Sequence, residues 1–484
     1  MNSKQPSDSR NPLQLSAHEM RALGYRVIDL IIDHFESLRD QPVTRFAHRS
    51  FLEQRLREPI PEQETDPGRL LDQIETDVLN QIMHLDHPRF FAYIPGPSNF
   101  VSVMADALAT GFNVFSGSWL ESSGAAMIEL VTIDWLRQMF GLPETAGGLF
   151  VSGGSIANLS AIALAREIKL KGHNAQATLY FSDQTHSSVK RAAKILGFQA
   201  SQIRIIRSNP DYRLALADLE TQVAEDRNTG CIPFCVVANA GTTNTGAVDP
   251  LVEIAEFCRA EDIWLHADAA YGGGAVICDE GRACLQGIDA VDSLTLDPHK
   301  WLFQPYEMGC LLVREAAWLG ETFKIISDYG KDEEIGEQHI NFCDLGIQLT
   351  RRFSALKLWL SFKTFGLEAF RAAVNRGVNL AKFAEATLSG CSKCEVVTRA
   401  QLGLVTFRYV GTGKLSSSDL NELNRAIVFR CIEEKFAMLS TTELGGKVVL
   451  RLCIINPATT EKDIRETVDL IVLLGDELST KYPP

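Results

Sequence analysis

The sequence predicts an α/β protein with a mostly parallel central sheet, a helical N-terminal arm and a small α+β region at the C-terminus. At 484 residues the chain is too long for one ordinary hydrophobic core. Short β-rich runs alternate with helical stretches, which is typical of parallel sheets. The runs are TLYFS (178–182), IRII (203–206), FCVVAN (234–239), IWLHAD (263–268), SLTL (293–296) and MGCLLV (308–313).

The N-terminal segment is predicted to be mostly helical. In EMRALGYRVIDLIIDHFESL the apolar residues recur at helical spacing, and prolines at 42, 59, 61 and 67 separate the helices. Such an arm has no obvious core of its own. We therefore expect it to pack on the rest of the chain or on a second subunit.

The C-terminal part follows a long helical stretch after Arg352. Two β-rich runs, LVTFRYV and KVVLRLCIIN, flank a further helix and predict a small α+β domain. The predicted organisation is an arm over residues 1–95, a large α/β domain over 96–372 and a small domain over 373–484.

Composition and charge narrow the function classes. The chain carries 47 Lys and Arg against 61 Asp and Glu, and this net charge of −14 argues against nucleic acid as a partner. The polar start MNSKQPSDSRNP has no secretory pattern, and no apolar run approaches a membrane span. The 11 cysteines include CSKC (391–394), but no second pair with metal spacing. We expect reduced thiols and a cytoplasmic protein without membrane partners.

The segment FVSGGSIANLS is the first chemical signal. A β-like run leads through Gly153 and Gly154 to Ser155 and then into a helical pattern. Glycines allow a ligand to approach the backbone, and a helix N-terminus offers free N–H groups to a phosphate. The pattern is neither a P-loop nor G-x-G-x-x-G. The alternative is a tight turn in which Ser155 caps the helix.

The segment IWLHADAAYGG places a carboxylate at the end of an apolar run. His266, Asp268 and Ala270 share one face of the predicted strand. A buried carboxylate needs a cationic or donor partner. That partner is either a metal ion, with His186 or His299 as a further ligand, or the protonated ring nitrogen of an aromatic cofactor.

Lys300 follows a strand and a turn in SLTLDPHKWLF. Apolar surroundings would lower the pKa of this lysine and make it a nucleophile. The alternative is an ordinary surface lysine. An aspartate for a pyridinium nitrogen, a lysine for a Schiff base and a helix N-terminus for a phosphate are the needs of pyridoxal phosphate. Their order along the strands favours this cofactor over a metal ion.

The same segments resemble the group II pyridoxal-phosphate-dependent amino-acid decarboxylases, a family that holds the aromatic-L-amino-acid, glutamate and histidine decarboxylases. The resemblance is aromatic-L-amino-acid decarboxylase-like but more specific to the family than to a member, and SGGSIAN is closer to the glutamate branch. The motifs that carry the resemblance are HPRFFAYIPGPSN, GSWLESSGAAMIELVTIDWL, SGGSIANLSAIALAR, DIWLHADAAYGG, LDPHKWLF and LTRRFSALKLW. The resemblance runs from about residue 15 to the C-terminus. It implies the type I (aspartate aminotransferase-like) fold of pyridoxal-phosphate enzymes, and a homodimer in which the arm wraps the partner subunit.

The resemblance also implies roles for individual residues. Lys300 would form the Schiff base, Asp268 would pair with the pyridine nitrogen and His186 would stack on the ring. Asp297 stands where many animal members have asparagine, so it is not expected to contact the phosphate. The full cofactor set is Gly154, Ser155, His186, Thr243, Asp268, Ala270, His299 and Lys300.

Substrate residues are implied in the same way. They are Tyr93, Phe115, Trp119 and, near the substrate carboxylate, Arg451. Animal aromatic members carry larger residues where this chain has Ile94, Gly96 and Gly117, so the glycines are expected to widen or reshape the pocket, with Phe115 refilling it. No basic cluster lies in residues 91–99 or 113–124. We therefore expect an aromatic or bulky apolar L-amino acid, with an acidic amino acid or a sulfinate as the alternative.

Tyr329 matches the family tyrosine that supplies a proton to Cα. It lies in SDYGKDEEIGEQHIN (327–341), whose glycines and charges indicate a loop. Members with phenylalanine at this position tend to release an aldehyde by oxidative deamination. Tyr329 together with His186 therefore favours plain decarboxylation, and an aldehyde synthase remains the further alternative.

Overall fold

A seven-stranded sheet forms the centre of the molecule. The computed structural model describes residues 11, 13–325, 339–413 and 415–481. The strands are β1 (Gly147–Val151), β2 (Ala177–Ser182), β3 (Ile203–Ile206), β4 (Ile232–Asn239), β5 (Trp264–Asp268), β6 (Ser293–Leu296) and β7 (Gly309–Val313), in the spatial order β1-β7-β6-β5-β4-β2-β3. β7 is antiparallel to both of its neighbours, and the other pairs are parallel. The six predicted strands and the mostly parallel α/β fold are confirmed.

Fourteen helices surround the two sheets in the described part of the chain. They are α1 (Ala17–Ser37), α2 (Arg49–Leu56), α3 (Pro67–Asp77), α4 (Phe100–Gly111), α5 (Trp119–Phe140), α6 (Gly154–Leu170), α7 (Ser187–Ile195), α8 (Leu216–Asn228), α9 (Leu251–Ala260), α10 (Asp279–Cys284), α11 (Ala317–Phe323), α12 (Ala355–Ser389), α13 (Ser417–Glu434) and α14 (Glu461–Ser479). None of them is long and apolar enough to cross a membrane.

The helix boundaries follow local chemistry. Ser16 and Glu19 form a capping box at the start of α1, and Asp66 caps α3, which begins with Pro67. Gly141 ends α5 in the left-handed conformation, with φ of 70°. No residue of α1 is fully buried, although the helix is amphipathic. The arm therefore contributes little to the core of its own chain.

A second, antiparallel sheet lies in the C-terminal region. It comprises β8 (Cys394–Gln401), β9 (Leu404–Tyr409), β10 (Ser440–Leu444) and β11 (Lys447–Cys453), in the order β10-β11-β9-β8. The sequence predicted β9 and β11 but missed the two edge strands. CEVVTRAQ and STTEL are too polar to read as buried strands, since an edge strand buries only part of one face.

The long helix α12 links the two sheets. It runs through the predicted domain boundary at residue 372, and its helical geometry breaks at Gly366, where φ is 72°. Large clusters of buried side chains lie on the two faces of the central sheet, and a further cluster lies between the second sheet and helices α13 and α14. All five residues of β5 are buried, so Asp268 comes at the end of a strand covered on both faces.

Candidate active site

A cavity of about 250 Å³ opens at the carboxyl ends of β4, β5 and β6. The strand register aligns these ends, because Asn239 pairs with Asp268 and Asp268 with Thr295. Open α/β sheets bind ligands at such strand ends. The cavity is lined by all eight residues predicted to bind the cofactor, namely Gly154, Ser155, His186, Thr243, Asp268, Ala270, His299 and Lys300.

The N-terminus of α6 forms one wall of the cavity. Gly153 is the N-cap residue of this helix, so the predicted alternative in which Ser155 caps it is wrong. A Cβ atom on Gly154 would lie 2.8 Å from Asp297 Oδ2 and 3.2 Å from the Cβ of Ala270. Only glycine leaves this space open at the free N–H groups of the helix. The wall therefore suits an anionic group such as a phosphate.

Asp268 is fixed from behind by a chain of hydrogen bonds. Asn158 donates from Nδ2 to Asp268 Oδ2 at 3.0 Å, and the Ala270 N–H donates to Oδ1 at 3.2 Å. The Asn158 amide can face the carboxylate only with its nitrogen, since an ionised carboxylate only accepts. Asp268 is 7% exposed, and its carboxylate retains the capacity to accept a further N–H from the cavity.

His266 lies behind Asn158 rather than in the cavity. Its Nε2 is 3.0 Å from Asn158 Oδ1, and its Nδ1 is 2.8 Å from Ser293 Oγ. Trp264 donates to that same hydroxyl at 3.0 Å, so the Ser293 proton is free to point at the histidine. Burial lowers the pKa of His266 to about 4, so the ring is neutral at pH 7 and donates from Nε2. This histidine positions Asn158 and does not take part in a metal site with Asp268.

The predicted direction of the Lys300 pKa is wrong. Burial of the amine lowers its pKa, but the Asp297 carboxylate outweighs burial, and the net pKa is raised. Lys300 Nζ lies 2.9 Å from Asp297 Oδ2. The lysine follows β6 by only four residues, so it enters the cavity next to that carboxylate. Asp297 Oδ1 is buried and has no hydrogen-bond partner.

Two predicted histidines line the cavity as neutral rings. His186 caps α7 by accepting from the Ser188 N–H, and burial lowers its pKa. His299 Nδ1 lies 2.7 Å from the carbonyl oxygen of Met308, so it carries the proton and donates. Burial lowers the pKa of His299 as well. A neutral imidazole presents a flat face without adding positive charge, which suits stacking of His186 on an aromatic ring.

The predicted substrate residues lie outside the lining of this cavity. The Tyr93 side chain is 61% exposed, Trp119 stacks on His339 with ring centroids 5.2 Å apart, and Phe115 lines a neighbouring cavity. Tyr329 lies outside the described residues. The assignment of these side chains to a substrate pocket therefore rests on sequence similarity alone, and their roles remain predictions.

Arg451 is buried and already engaged. It donates to the carbonyl oxygens of Asn244 at 3.1 Å and Tyr93 at 3.2 Å, to that of Thr243, and to Ser440 Oγ at 2.9 Å. These bonds join β11 to the loop that carries Thr243. Arg451 therefore holds in position the loop that carries Thr243, which lines the cavity. Its contact with a substrate carboxylate remains a prediction.

Gly96 and Gly117, the two glycines at positions where animal aromatic members carry larger residues, are each explained by a different close contact. A Cβ on Gly96 would lie 2.0 Å from the His299 carbonyl oxygen and 2.7 Å from that of Lys300. Gly96 therefore permits close packing against the backbone that carries the lysine, and does not widen the pocket as predicted. A Cβ on Gly117 would lie 2.2 Å from the Phe115 ring. The Phe115 ring thus occupies the space beside Gly117, and its refilling of a substrate pocket remains a prediction.

Sequence reasoning missed Asn158 and Glu307, which both line the cavity. Asn158 comes one helical turn after Ser155, so helical spacing could have placed it on the cavity face of α6. Glu307 lies in irregular backbone between β6 and β7, where no periodic pattern exists.

The fold and this site together define a pyridoxal-phosphate-dependent enzyme. The cofactor has an anionic phosphate, a ring nitrogen that works best protonated and an aldehyde carbon. The N-terminus of α6, the carboxylate of Asp268 and the amine of Lys300 match these groups and meet in one cavity. A divalent metal would instead need several ligand atoms converging on one point, whereas His266 is turned towards Asn158.

Comparisons with known proteins identify the family. The pyridoxal-dependent decarboxylase conserved domain matches residues 51–410. An aromatic-L-amino-acid decarboxylase of Bacillus atrophaeus is 52% identical over 472 residues, covering 97% of this chain and 98% of that protein. A phenylacetaldehyde synthase of Arabidopsis thaliana is 30% identical, covering 94% of this chain and 96% of that protein.

A solved structure agrees with these sequence matches. The crystal structure of Oryza sativa TDC with PLP and tryptamine has a TM-score of 0.91 and 29% identity, covering 97% of this chain and 100% of that chain. The chain therefore belongs to the pyridoxal-dependent decarboxylases of group II. It is a carboxy-lyase that acts on an amino acid and uses pyridoxal phosphate.

Proposed function

We propose that this enzyme decarboxylates an aromatic L-amino acid to the corresponding amine and carbon dioxide. The observation that carries the substrate class is the 52% identity, over nearly all of both chains, to an aromatic-L-amino-acid decarboxylase. Similarity of this extent supports a shared substrate class. The 30% identity to an aldehyde synthase is weaker support for aldehyde formation.

The residues around the site support an uncharged side chain on the substrate. Residues 91–99 and 113–124 contain neither lysine nor arginine. Arg89, just before the first of these segments, donates to the Phe436 carbonyl oxygen at 2.8 Å and packs its guanidinium over the Phe436 ring. An acidic substrate would need a free cation to offset its desolvation. Aromatic residues at positions 93, 115 and 119 would instead suit an aromatic ring.

The chain's own groups divide the work of the reaction. When bound, pyridoxal phosphate supplies the electron sink that accepts the electron pair left by carbon dioxide. Asp268 would hold the ring nitrogen in its protonated form, and Asn158 fixes the carboxylate that would do so. Lys300 reacts as an amine only after losing a proton, and Asp297 Oδ2 lies 2.9 Å away to accept it. His186, which lines the same cavity, would cover one face of the ring and exclude water from it.

Protonation at Cα is assigned to Tyr329. This tyrosine belongs to the segment of residues 327–341, whose family counterpart supplies the proton donor. A phenol at this position protonates carbon instead of leaving it to oxidation, and therefore favours an amine product over an aldehyde.

The protein is further proposed to act as a cytoplasmic homodimer with the arm, large and small domains over residues 1–95, 96–372 and 373–484. Large apolar side chains of the arm and of α4 remain uncovered in one chain: Tyr25 is 65% exposed, Ile60 87% and Phe112 80%. Burying such groups against a second chain would stabilise the assembly. Buried cysteines such as Cys235, Cys310 and Cys431 are free thiols, which is typical of reducing compartments.

Product analysis tests the substrate class. The holoenzyme is incubated separately with L-Phe, L-Tyr, L-Trp, L-Dopa, L-Glu, L-Asp and L-cysteine sulfinate, and products are identified by mass. We expect amines from aromatic substrates alone, and none from Lys300→Ala, which should also lose the visible absorbance of the lysine-bound cofactor. Amine from an acidic substrate alone would refute the aromatic proposal, and aldehyde with peroxide would refute plain decarboxylation. In Tyr329→Phe we expect the aldehyde share of product to rise.

A further inference from the structure

A second cluster of ligating side chains lies outside the decarboxylase cavity. His34 projects from α1, while His84 and Asp86 belong to the segment between α3 and α4. One ligand atom from each of these residues lies within 4.8 Å of the other two. None of the three lines the cavity that contains Lys300. The decarboxylation reaction gives this cluster no role.

His84 is the unusual member of the cluster. The residue is 4% exposed, yet neither Nδ1 nor Nε2 has a hydrogen-bond partner. Buried polar side chains nearly always have partners, because desolvating an unsatisfied polar group is energetically costly. The rings of His34 and His84 approach each other, with centroids 5.3 Å apart. A bound cation would supply the missing partner.

The other two members are already oriented towards each other. His34 Nε2 lies 2.7 Å from Asp86 Oδ2. Their side chains are 32% and 24% exposed, so an ion can reach the cluster from solvent and keep a water ligand. The backbone of this segment is held in place, since Asn456 donates to the Asp86 carbonyl oxygen at 2.6 Å and the His84 N–H donates to Val43.

We propose that His34, His84 and Asp86 form a binding site for a divalent transition-metal ion of the zinc type. Two imidazoles and one carboxylate, with water in the fourth position, are a ligand set that zinc accepts in tetrahedral geometry. Magnesium and calcium prefer oxygen ligands and fit this set poorly. The site is distinct from the cofactor and independent of the substrate class.

Binding requires only a small local adjustment. Ligand atoms around a tetrahedral zinc ion lie about 3.4 Å apart, given bonds of about 2.1 Å. The 2.7 Å contact between His34 and Asp86 must therefore open slightly, and the more distant pair must close. The ion would then tie α1 to the segment that leads into Gly96, whose close packing positions the Lys300 backbone.

Metal titration of the holoenzyme tests this site. Untagged protein carrying its cofactor is freed of unbound cofactor and of metals by a chelator and gel filtration, then titrated with Co²⁺ as a spectroscopic probe and with Zn²⁺ as competitor. We expect one equivalent of Co²⁺ per chain, visible bands typical of tetrahedral nitrogen and oxygen ligation, loss of these bands on adding Zn²⁺, and a higher melting temperature with Zn²⁺.

Three variants decide between a metal site and a structural histidine cluster. His34→Gln changes a half-exposed side chain and should fold normally. His84→Leu replaces unpartnered nitrogens with apolar atoms and should keep or raise stability in metal-free buffer. Both should lose the Co²⁺ bands and the Zn²⁺-dependent rise in melting temperature while retaining bound cofactor, whereas His18→Ala, an exposed histidine of the same helix, should keep both effects. Absence of stoichiometric binding, or equal binding by all three variants, would overturn the proposal.

Discussion

The link between Asn158 and Asp268 offers the sharpest test of how the site works. Asn158→Asp preserves size and keeps an oxygen for the two groups that donate to Asn158 Oδ1, namely Thr295 at 2.7 Å and His266 at 3.0 Å. It replaces the amide nitrogen, which donates to Asp268 Oδ2 at 3.0 Å and to Ser188 Oγ at 2.9 Å. The substitution therefore removes the hydrogen bond to the carboxylate proposed to hold the cofactor ring nitrogen, together with the bond to Ser188.

The size of the effect follows from the geometry. A hydrogen bond to a charged group contributes about 1.5–3 kcal/mol, so its loss should weaken cofactor binding about 10- to 150-fold. Two carboxylates 3.0 Å apart repel by roughly 5 kcal/mol at an effective dielectric constant of about 20. Taking up one proton at pH 7 costs about 4 kcal/mol, so the pair should share a proton near neutrality.

This gives the variant a pH dependence that the parent lacks. Below about pH 6 the shared proton replaces the lost donor, and above about pH 8 the second ionisation drives the carboxylates apart. The ratio of the cofactor dissociation constants, variant over parent, should therefore rise with pH. Titrating the apoenzyme with pyridoxal phosphate across this range measures the ratio. Asn113→Asp, an exposed site with the same charge change, is the control. A ratio near one, or one independent of pH, would refute the assigned role of Asn158.

Three further outcomes are expected. Gly96→Ala should lower cofactor affinity at least about tenfold, because its Cβ would clash with the His299 carbonyl oxygen. Gly124→Ala, which has open space around its Cβ, should leave the affinity unchanged. Equal cofactor affinities of the two variants would contradict this prediction. Arg351→Met should lower the free energy of unfolding, measured by urea titration, by about 3–5 kcal/mol, because it leaves the buried Glu129 carboxylate without its cationic partner. The double variant with Glu129→Gln should recover part of this loss. The pKa of His266 is lowered to about 4 in the folded state, so the unfolded state binds more protons below pH 6.5. Stability should then fall as pH drops from about 6.5 towards 4, by at most about 3 kcal/mol from this group. His266→Gln should lessen the fall of the urea midpoints over that range, to which His87, with a pKa also lowered to about 4, contributes as well.

The parts of the fold that sequence patterns predicted are those with local causes. Each strand of the central sheet from β2 to β7 is a short apolar run bounded by turn signals, and all six were predicted. The edge strands β8 and β10 were missed, because half-buried strands carry mixed polar and apolar residues. Motifs at strand ends predicted residues such as Asp268 and Lys300 as cofactor ligands, while Thr243 was predicted from the family resemblance alone. The fold brings all eight predicted residues to one cavity.

The sequence by itself determined which chemistry the chain can perform, since lysine, aspartate, histidine and the Gly-Gly-Ser turn each follow a strand. Only the tertiary structure decided how these groups behave. Asp297 lies 2.9 Å from Lys300 and reverses the expected pKa shift, and Asn158 reaches Asp268 across 110 residues of chain. The physical reason is the separation along the chain over which each kind of interaction acts. Periodicity and capping act over a few residues, whereas hydrogen bonds and charge interactions depend on distances of a few ångströms that are set by packing between distant segments.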